Sequence, residues 1–257
     1  MDGNEKERGS KLIKIFRTIH SVIFWFLVVL YSVVANKGSY VITLFIKDKE
    51  KKRIFYQKST KLWGILLSKA SLVKVKVSGL ENIPRDTNVI FTSNHQSYLD
   101  IFILLRCLPD LFTFVTMRKL FKVPFIGDHI TRAGFLSLDR KDRRGSVRTI
   151  HTIVDLAKKG RSFVIFPEGK LTNDGTIGEF GRGISIIIQR SKKPVIPIKI
   201  DGNFAVLPKG SWKLQPGEVE VNIGKPLYFK DYHDEITKKS SVELGSKLRN
   251  VVVSLNG

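Results

Sequence analysis

Between Thr18 and Asn36 the chain reads TIHSVIFWFLVVLYSVVAN, without one Asp, Glu, Lys or Arg. No other stretch restricts the fold so sharply. As a helix this run would extend roughly 28 Å at about 1.5 Å per residue, close to the hydrocarbon thickness of a bilayer. After Lys37 a second uncharged run, Gly38 to Ile46, follows. A secretory signal would need a cationic leader and a small-residue cleavage site. Here the leader is mixed in charge and no such site follows. A buried core helix is the other competing reading. Phe24, Trp25, Phe26 and Tyr31, and the lack of a polar face, favour a membrane-embedded helix.

The charge is placed to match. The chain carries 44 Lys+Arg against 23 Asp+Glu, a formal net charge of +21, which predicts an anionic partner. Lys47, Lys49, Lys51, Lys52, Arg53, Lys58 and Lys61 follow the apolar runs, opposed only by Asp48 and Glu50. Bases clustered beside a membrane segment attract anionic lipid headgroups, at about 1 kcal/mol each. Ile54 to Leu67 reads as an amphipathic helix, with Ile54, Leu62, Ile65 and Leu66 at helical spacings and Trp63 as an interfacial anchor. Two helices joined near Lys47 to Lys51 would either span the bilayer or enter one leaflet as a hairpin. A nucleic-acid partner is disfavoured, since the chain has no zinc finger, RNP-type strand or basic zipper. The single cysteine, Cys107, excludes an internal disulfide and a thiolate cluster, as in a reducing compartment.

Beyond residue 70 short apolar runs alternate with amphipathic segments. Strands are predicted at 72–77, 88–93, 112–116, 134–138, 162–166, 195–200 and 218–223. Helices are predicted through Ile101 to Leu105, from a Ser146 cap to a stop at Gly160, over 183–188, and from Val242 to Leu255. This alternation predicts an α/β fold with a mixed, largely parallel sheet flanked by helices. The expected division is residues 1–70 as membrane-anchoring helices with a basic linker and 71–257 as the α/β domain.

Three strands run straight into polar clusters: SNHQSYLD (93–100), LDRKDRR (138–144) and FPEGK (166–170). Ligands of open α/β sheets bind outside the carboxyl ends of parallel strands, so these clusters are expected to meet on one rim. His95 and Asp100 are not a same-face helical pair, lying roughly 140° apart on a continuous helix. They can meet only if His95 stands in the turn and Asp100 in the first turns of the helix after it. An Asp bonded to one imidazole nitrogen leaves the other as a base. Asp100 could instead simply favour the helix N-terminus. Glu168 can accept hydrogen bonds from a polyol or buttress a base, and Pro167 and Gly169 shape its loop; a plain strand-to-loop turn is the alternative. Arg140 is a guanidinium suited to bidentate phosphate binding, whereas Arg143 and Arg144 read more as a solvated charge run. Lys119 is either an anion ligand or a surface lysine. The five histidines include no H-E-x-x-H pair, so no metal site is expected.

N-H-x4-D at 94–100, G-F-L-S-L-D-R at 134–140, F-P-E-G at 166–169 and V-I-P-I at 195–198 stand in the order of four blocks. Together they resemble the glycerolipid acyltransferases, closest to the 1-acylglycerol-3-phosphate (lysophosphatidic acid) branch. Lys119 with Pro124 and Gly127, and Phe180-Gly181-Arg182-Gly183, add to the likeness, which covers about 72 to 224. One departure matters: the family's F-P-E-G-T-R-S reads here as Phe166 to Thr172 with Leu171 in place of the arginine and Lys170 one residue earlier.

The resemblance implies a membrane-bound enzyme that moves an acyl chain from a thioester, on acyl carrier protein or coenzyme A, to the sn-2 hydroxyl of lysophosphatidic acid. His95, oriented by Asp100, would take the hydroxyl proton. Arg140 would hold the phosphate, with Lys119 and Lys170 as further cations, and Glu168 and Gly169 would position the glycerol. Backbone amides near Asn94 to Ser97 or around Gly169 are candidates to stabilise the oxyanion. No cofactor is implied, and the expected location is the cell membrane with the catalytic domain on its cytoplasmic face. Glycerol-3-phosphate, another lysophospholipid, or a non-catalytic lipid-binding role are the alternatives.

Overall fold

A computed structural model describes residues 3–109, 111–138, 142–232 and 237–256. Two long helices come first, α1 (Gly3–Leu44) and α2 (Lys49–Ala70). Helix α1 runs unbroken through Lys37, so the first uncharged run and the second as far as Leu44 lie on one helix, of which Ser10–Leu44 is long and apolar enough to cross a membrane. The break falls at Phe45 to Asp48, where Asp48 caps α2 by accepting the Lys51 N–H.

Helix α1 does have a polar face, contrary to the expectation from its composition. Ser21, Ser32, Asn36, Ser39 and Thr43, at helical spacings with Phe24 and Val28, are the residues it buries against the rest of the protein. Ser39 Oγ donates to Ser59 Oγ on α2 (2.9 Å), and Asn36 Nδ2 donates to the Phe125 carbonyl and to Asp128 (3.0 Å each). The large apolar side chains Ile19, Val22, Ile23, Phe26 and Val29 point outward. This is the reverse of a soluble amphipathic helix. Helix α2 also buries a different face from the expected one: Tyr56, Gln57, Thr60, Gly64 and Leu67 go inward, while Leu62 and Leu66 stay exposed. At Gly64 an added methyl group would collide with Leu105. Trp63 is not an exposed anchor; it packs edge-on against Phe102 (centroids 4.9 Å) and donates to Ser32 Oγ.

Among the described residues the strands number seven: β1 (Lys74–Ser78), β2 (Ile90–Ser93), β3 (Phe112–Met117), β4 (Leu136–Leu138), β5 (Ser162–Ile165), β6 (Val195–Asp201) and β7 (Glu218–Ile223). They form one sheet in the order β1-β7-β6-β2-β5-β3-β4, parallel throughout except at the β6/β7 pair. The helices are α3 (Leu99–Cys107), α4 (Ile126–Arg132), α5 (Arg143–Lys158), α6 (Arg182–Ser191), α7 (Asn203–Val206) and α8 (Lys238–Ser254). Helix α5 is capped by Asp142, which accepts the Gly145 N–H (2.7 Å), and not by Ser146.

Side chains of a strand alternate between faces, and the central strands are apolar on both. Phe91, Val164 and Ile196 face one core together with Phe24 and Val28 of α1, Tyr56 and Leu67 of α2 and Leu104 of α3. Ile90, Phe163 and Val195 face the other, with Ile153 of α5, Ile187 of α6 and Leu244 and Leu248 of α8. The N-terminal helices therefore share the core of the α/β body.

Candidate active site

Strand β2 ends in Asn94 and His95, and the chain turns through Gln96, Ser97 and Tyr98 into α3. Asn94, fully buried, accepts the Ile200 N–H and donates to the Ile200 carbonyl (2.8 Å each), which ties the end of β2 to β6. Asp100, in the first turn of α3, reaches back under this turn. Its Oδ2 accepts the backbone N–H groups of Gln96 (2.7 Å) and Ser97 (2.9 Å), and lies 2.8 Å from His95 Nδ1. Its Oδ1 accepts from Asn203 Nδ2. These donors let a carboxylate sit at 0 % exposure. Asp100 thus both holds the turn before α3 and contacts the imidazole. Because a carboxylate only accepts, Nδ1 carries the proton and Nε2 is left as the base.

Strand β5, hydrogen-bonded to β2, runs into Phe166-Pro167-Glu168-Gly169 on the same rim. The Phe166 ring stacks on the imidazole, with centroids 3.9 Å apart and planes 13° from parallel. Glu168 Oε1 accepts the His95 N–H and Oε2 the Gly178 N–H, both at 2.9 Å. Burial pushes its carboxyl above the usual range, opposed by those two N–H groups and by His95. The Thr172 N–H donates to the His95 carbonyl (3.0 Å) and closes the loop over the dyad. These bonds occupy four of the amides named for the oxyanion: those of His95, Gln96 and Ser97 are committed to Glu168 and Asp100, and that of Gly169 to the Phe166 carbonyl.

Gly169 takes a left-handed φ of 63° at the tip of this loop, where a side chain would be strained. Lys170 is exposed beside it, and Leu171 is buried, so an apolar side chain is packed where the resemblance expects a guanidinium. Lys119 is exposed in the short turn after β3, whose end lies on the same rim. Arg140 and Lys141 lie outside the described residues, and Arg144 is exposed at the start of α5.

Three contributors escaped the reading of the sequence. Asn203 follows Gly202, which turns the chain at φ 84° after β6. A buried strand ending in Asp-Gly-Asn was the available signal. Gly178 supplies the second N–H to Glu168, and a methyl group there would come within 3.1 Å of Oε2. Arg249 of α8 donates to the Ile177 carbonyl (2.8 Å) and the Gly178 carbonyl (3.0 Å), holding that loop in place. Elsewhere, burial pushes the Cys107 thiol up to about 11, against the pull of Arg106 and Lys61, so it is no ready nucleophile. Among the described residues no group of His, Cys, Asp and Glu is placed to hold a metal ion.

A family model described as Acyltransferase matches residues 74–201. The chloroplastic 1-acyl-sn-glycerol-3-phosphate acyltransferase of Brassica napus is 37 % identical over 179 residues, covering 69 % of this chain and 52 % of that protein. An Arabidopsis thaliana protein of the same description is 36 % identical, with 50 % of it covered. The chain spans about half the length of these two relatives. The 1-acyl-sn-glycerol-3-phosphate acyltransferase of Pseudomonas aeruginosa is 29 % identical over 82 % of each chain. The crystal structure of the 1-acyl-sn-glycerophosphate (LPA) acyltransferase PlsC from Thermotoga maritima superposes with a TM-score of 0.78 at 28 % identity, over 93 % of this chain and 95 % of that one. With the four sequence blocks falling inside the matched region and the sheet shared with PlsC, the chain belongs to the glycerolipid acyltransferase family.

Proposed function

We propose that this protein transfers a fatty acyl group from an acyl thioester to the sn-2 hydroxyl of 1-acyl-sn-glycerol-3-phosphate, giving phosphatidic acid. The observation that carries the reading is the pairing of His95 Nδ1 with the buried Asp100 at 2.8 Å. A base held in one tautomer and only slightly exposed suits proton abstraction from a bound alcohol. In the proposed reaction Nε2 takes the hydroxyl proton while the oxygen attacks the thioester carbonyl. The tetrahedral adduct collapses with cleavage of the carbon–sulfur bond, and the imidazolium returns the proton to the leaving sulfur. No acyl-enzyme forms, so Cys107 has no part in the chemistry.

Arg140, Lys119 and Lys170 are the cations proposed to hold the acceptor phosphate. Lys170 takes a larger share here because Leu171 supplies no guanidinium. Glu168 and Gly169 shape the wall against which the glycerol lies, Glu168 by fixing the His95 backbone. The donor is a thioester of acyl carrier protein or coenzyme A, and no metal or other cofactor is needed. The outward-facing apolar side of α1 would lie in the membrane beside anionic phospholipid, keeping the enzyme with its lipid acceptor and product. The location that goes with this proposal is the cell membrane, with the catalytic body on the cytoplasmic face.

The test is thiol release from an acyl thioester, with lysophosphatidic acid, glycerol-3-phosphate or another lysophospholipid as acceptor. Lysophosphatidic acid should be the preferred acceptor, and His95→Ala should reduce turnover at least a thousandfold, about 4 kcal/mol of barrier. Equal turnover by wild type and variant would sink the mechanism, and no turnover with any acceptor would leave a lipid-binding protein.

A further inference from the structure

Strands β1 and β7 run opposite to β2 and β6, so the residues that precede them arrive at the edge where His95 stands. Two segments come there: Leu72, just before β1, and the loop from Leu207 to Gly217, just before β7. This loop is fastened to α1. The Trp25 indole N–H donates to the Trp212 carbonyl (2.7 Å), and the Leu214 N–H donates to Ser21 Oγ (2.9 Å). It is also fastened to the site. Its Leu207 carbonyl accepts from Ser97 Oγ (2.8 Å), and its Lys209 donates to Asn173 (2.8 Å) in the loop that follows Phe166 to Leu171.

What the loop turns outward is amphipathic. Trp212 is 46 % exposed and Leu72 is 63 % exposed, the latter at a left-handed φ of 58°. Beside them an apolar groove of about 320 Å³ opens between Leu12, Ile13 and Phe16 of α1 and Leu72, Leu214 and Pro216. Lys213 Nζ lies 5.4 Å from the Trp212 ring centroid. A tryptophan with a lysine over its ring suits the boundary between hydrocarbon and headgroups, where the ring is half-wet and the ammonium meets lipid phosphates.

We propose that the Leu207–Gly217 loop is a second membrane-contact element, which seats the rim carrying His95 against an anionic bilayer. The occupant is lipid and not another protein chain, because the patch is continuous with the outward apolar side of α1 and flanked by two cations, Lys213 at Trp212 and Arg17 in the lining of the groove. This rests on the reading of α1 as membrane-associated and adds what composition could not give: the face that meets the lipid. An acceptor dissolved in the leaflet then reaches the base without leaving the interface.

The test uses the full chain with Trp25→Phe and Trp63→Phe, which leaves Trp212 as the one tryptophan. It is mixed with vesicles of phosphatidylcholine and phosphatidylglycerol, with or without bromine on the acyl chains. Quenching of Trp212 by the brominated lipid supports the proposal. Unquenched emission overturns it, as does a concentration-dependent blue shift without quenching, which would mean that a second copy covers the patch. Should the double variant fail to fold, Trp212→Ala in the otherwise natural chain replaces it. Activity should then fall about fivefold with vesicle-borne acceptor and stay unchanged with a short-chain monomeric one. Equal losses with both acceptors overturn the proposal. Quenching needs no turnover, so its outcome is separate from that of the acyl-transfer reading.

Discussion

Asn203→Ala separates what orients the His95–Asp100 pair, proposed above as the base and its partner, from what holds up the fold. Asn203 is fully buried, and its Nδ2 is the one donor found on Asp100 Oδ1 among the described residues. A hydrogen bond to a buried charge is worth about 1.5–3 kcal/mol. Deleting the side chain removes that bond, but it also removes Asn203 Oδ1, a buried carbonyl oxygen without a partner. Leaving such a group unsatisfied costs about 1–3 kcal/mol, so the two changes largely cancel in stability. The net loss should be on the order of 1 kcal/mol, a few degrees in Tm for a chain of this size. Catalysis has no such compensation. Asp100 keeps its three donors on Oδ2 and is free to pivot about them, which shifts the carboxylate that aims His95. A drop of about tenfold in kcat, or ~1.4 kcal/mol, with KM unchanged is expected, since Asn203 sits behind Asp100 and does not line the open side of the imidazole. Steady-state kinetics and thermal unfolding in the same detergent solution read both quantities. A wild-type kcat with a lowered Tm would reduce Asn203 to packing, and a raised KM with intact kcat would place it against the substrate; either refutes the reasoning.

Glu168→Gln keeps the shape of the side chain but turns one acceptor into a donor, which must then face the His95 or the Gly178 N–H. The clash of donors should cost about 1–3 kcal/mol in stability and lower kcat by displacing the His95 backbone, whereas Glu168→Asp, with retained acceptors on a shorter stem, should be milder in stability. A Gln variant with wild-type Tm and kcat would show that those bonds do not hold the loop. His129 predicts a separate pH effect away from the site. It is buried against Tyr56 and Thr60, and burial lowers its pKa from 6.5 to about 4. Between those values the unfolded chain binds a proton that the folded chain does not, so the stability is fully present above about pH 6.5 and is lost as pH falls toward 4. The loss approaches roughly 3 kcal/mol at ~1.36 kcal/mol per unit. Denaturant midpoints measured across that window should fall steeply for the wild type and less steeply for His129→Gln; parallel curves would refute the assignment.

The parts of this protein that could be read from the sequence are those whose causes are local. Buried central strands announce themselves as short apolar runs, and the Asn94-His95 to Asp100 spacing fixes a turn whose amides need an acceptor, so strand positions and dyad follow from neighbouring residues. Asn203 has no such signal, because its role depends on β6 lying beside β2. Only the pairing of Ser93 with Ile198 brings the residue after one strand next to the helix that follows the other. The faces of α1 and α2 were hidden for a different reason. A run without charge is uniform to a composition argument, yet the small polar residues of α1 fall on one stripe, where hydroxyls and an amide let two helices and α4 approach closely. On α2 the expected apolar face exists but points away from the body, because Tyr56, Gly64 and Leu67 fit α3 and the core better than Leu62 and Leu66 do. Both discrepancies have one cause. In a soluble protein the largest apolar side chains are spent on the core, whereas here the contacts of α1 with the body combine Phe24 and Val28 with small and polar groups, and most of its other large apolar side chains are left facing out. That inversion is what a helix needs if it must pack on a catalytic domain from one side and meet hydrocarbon from the other. The Leu207–Gly217 loop, bonded to α1 at Trp212 and Leu214 and to the dyad's turn at Leu207, is where those two requirements converge on the base.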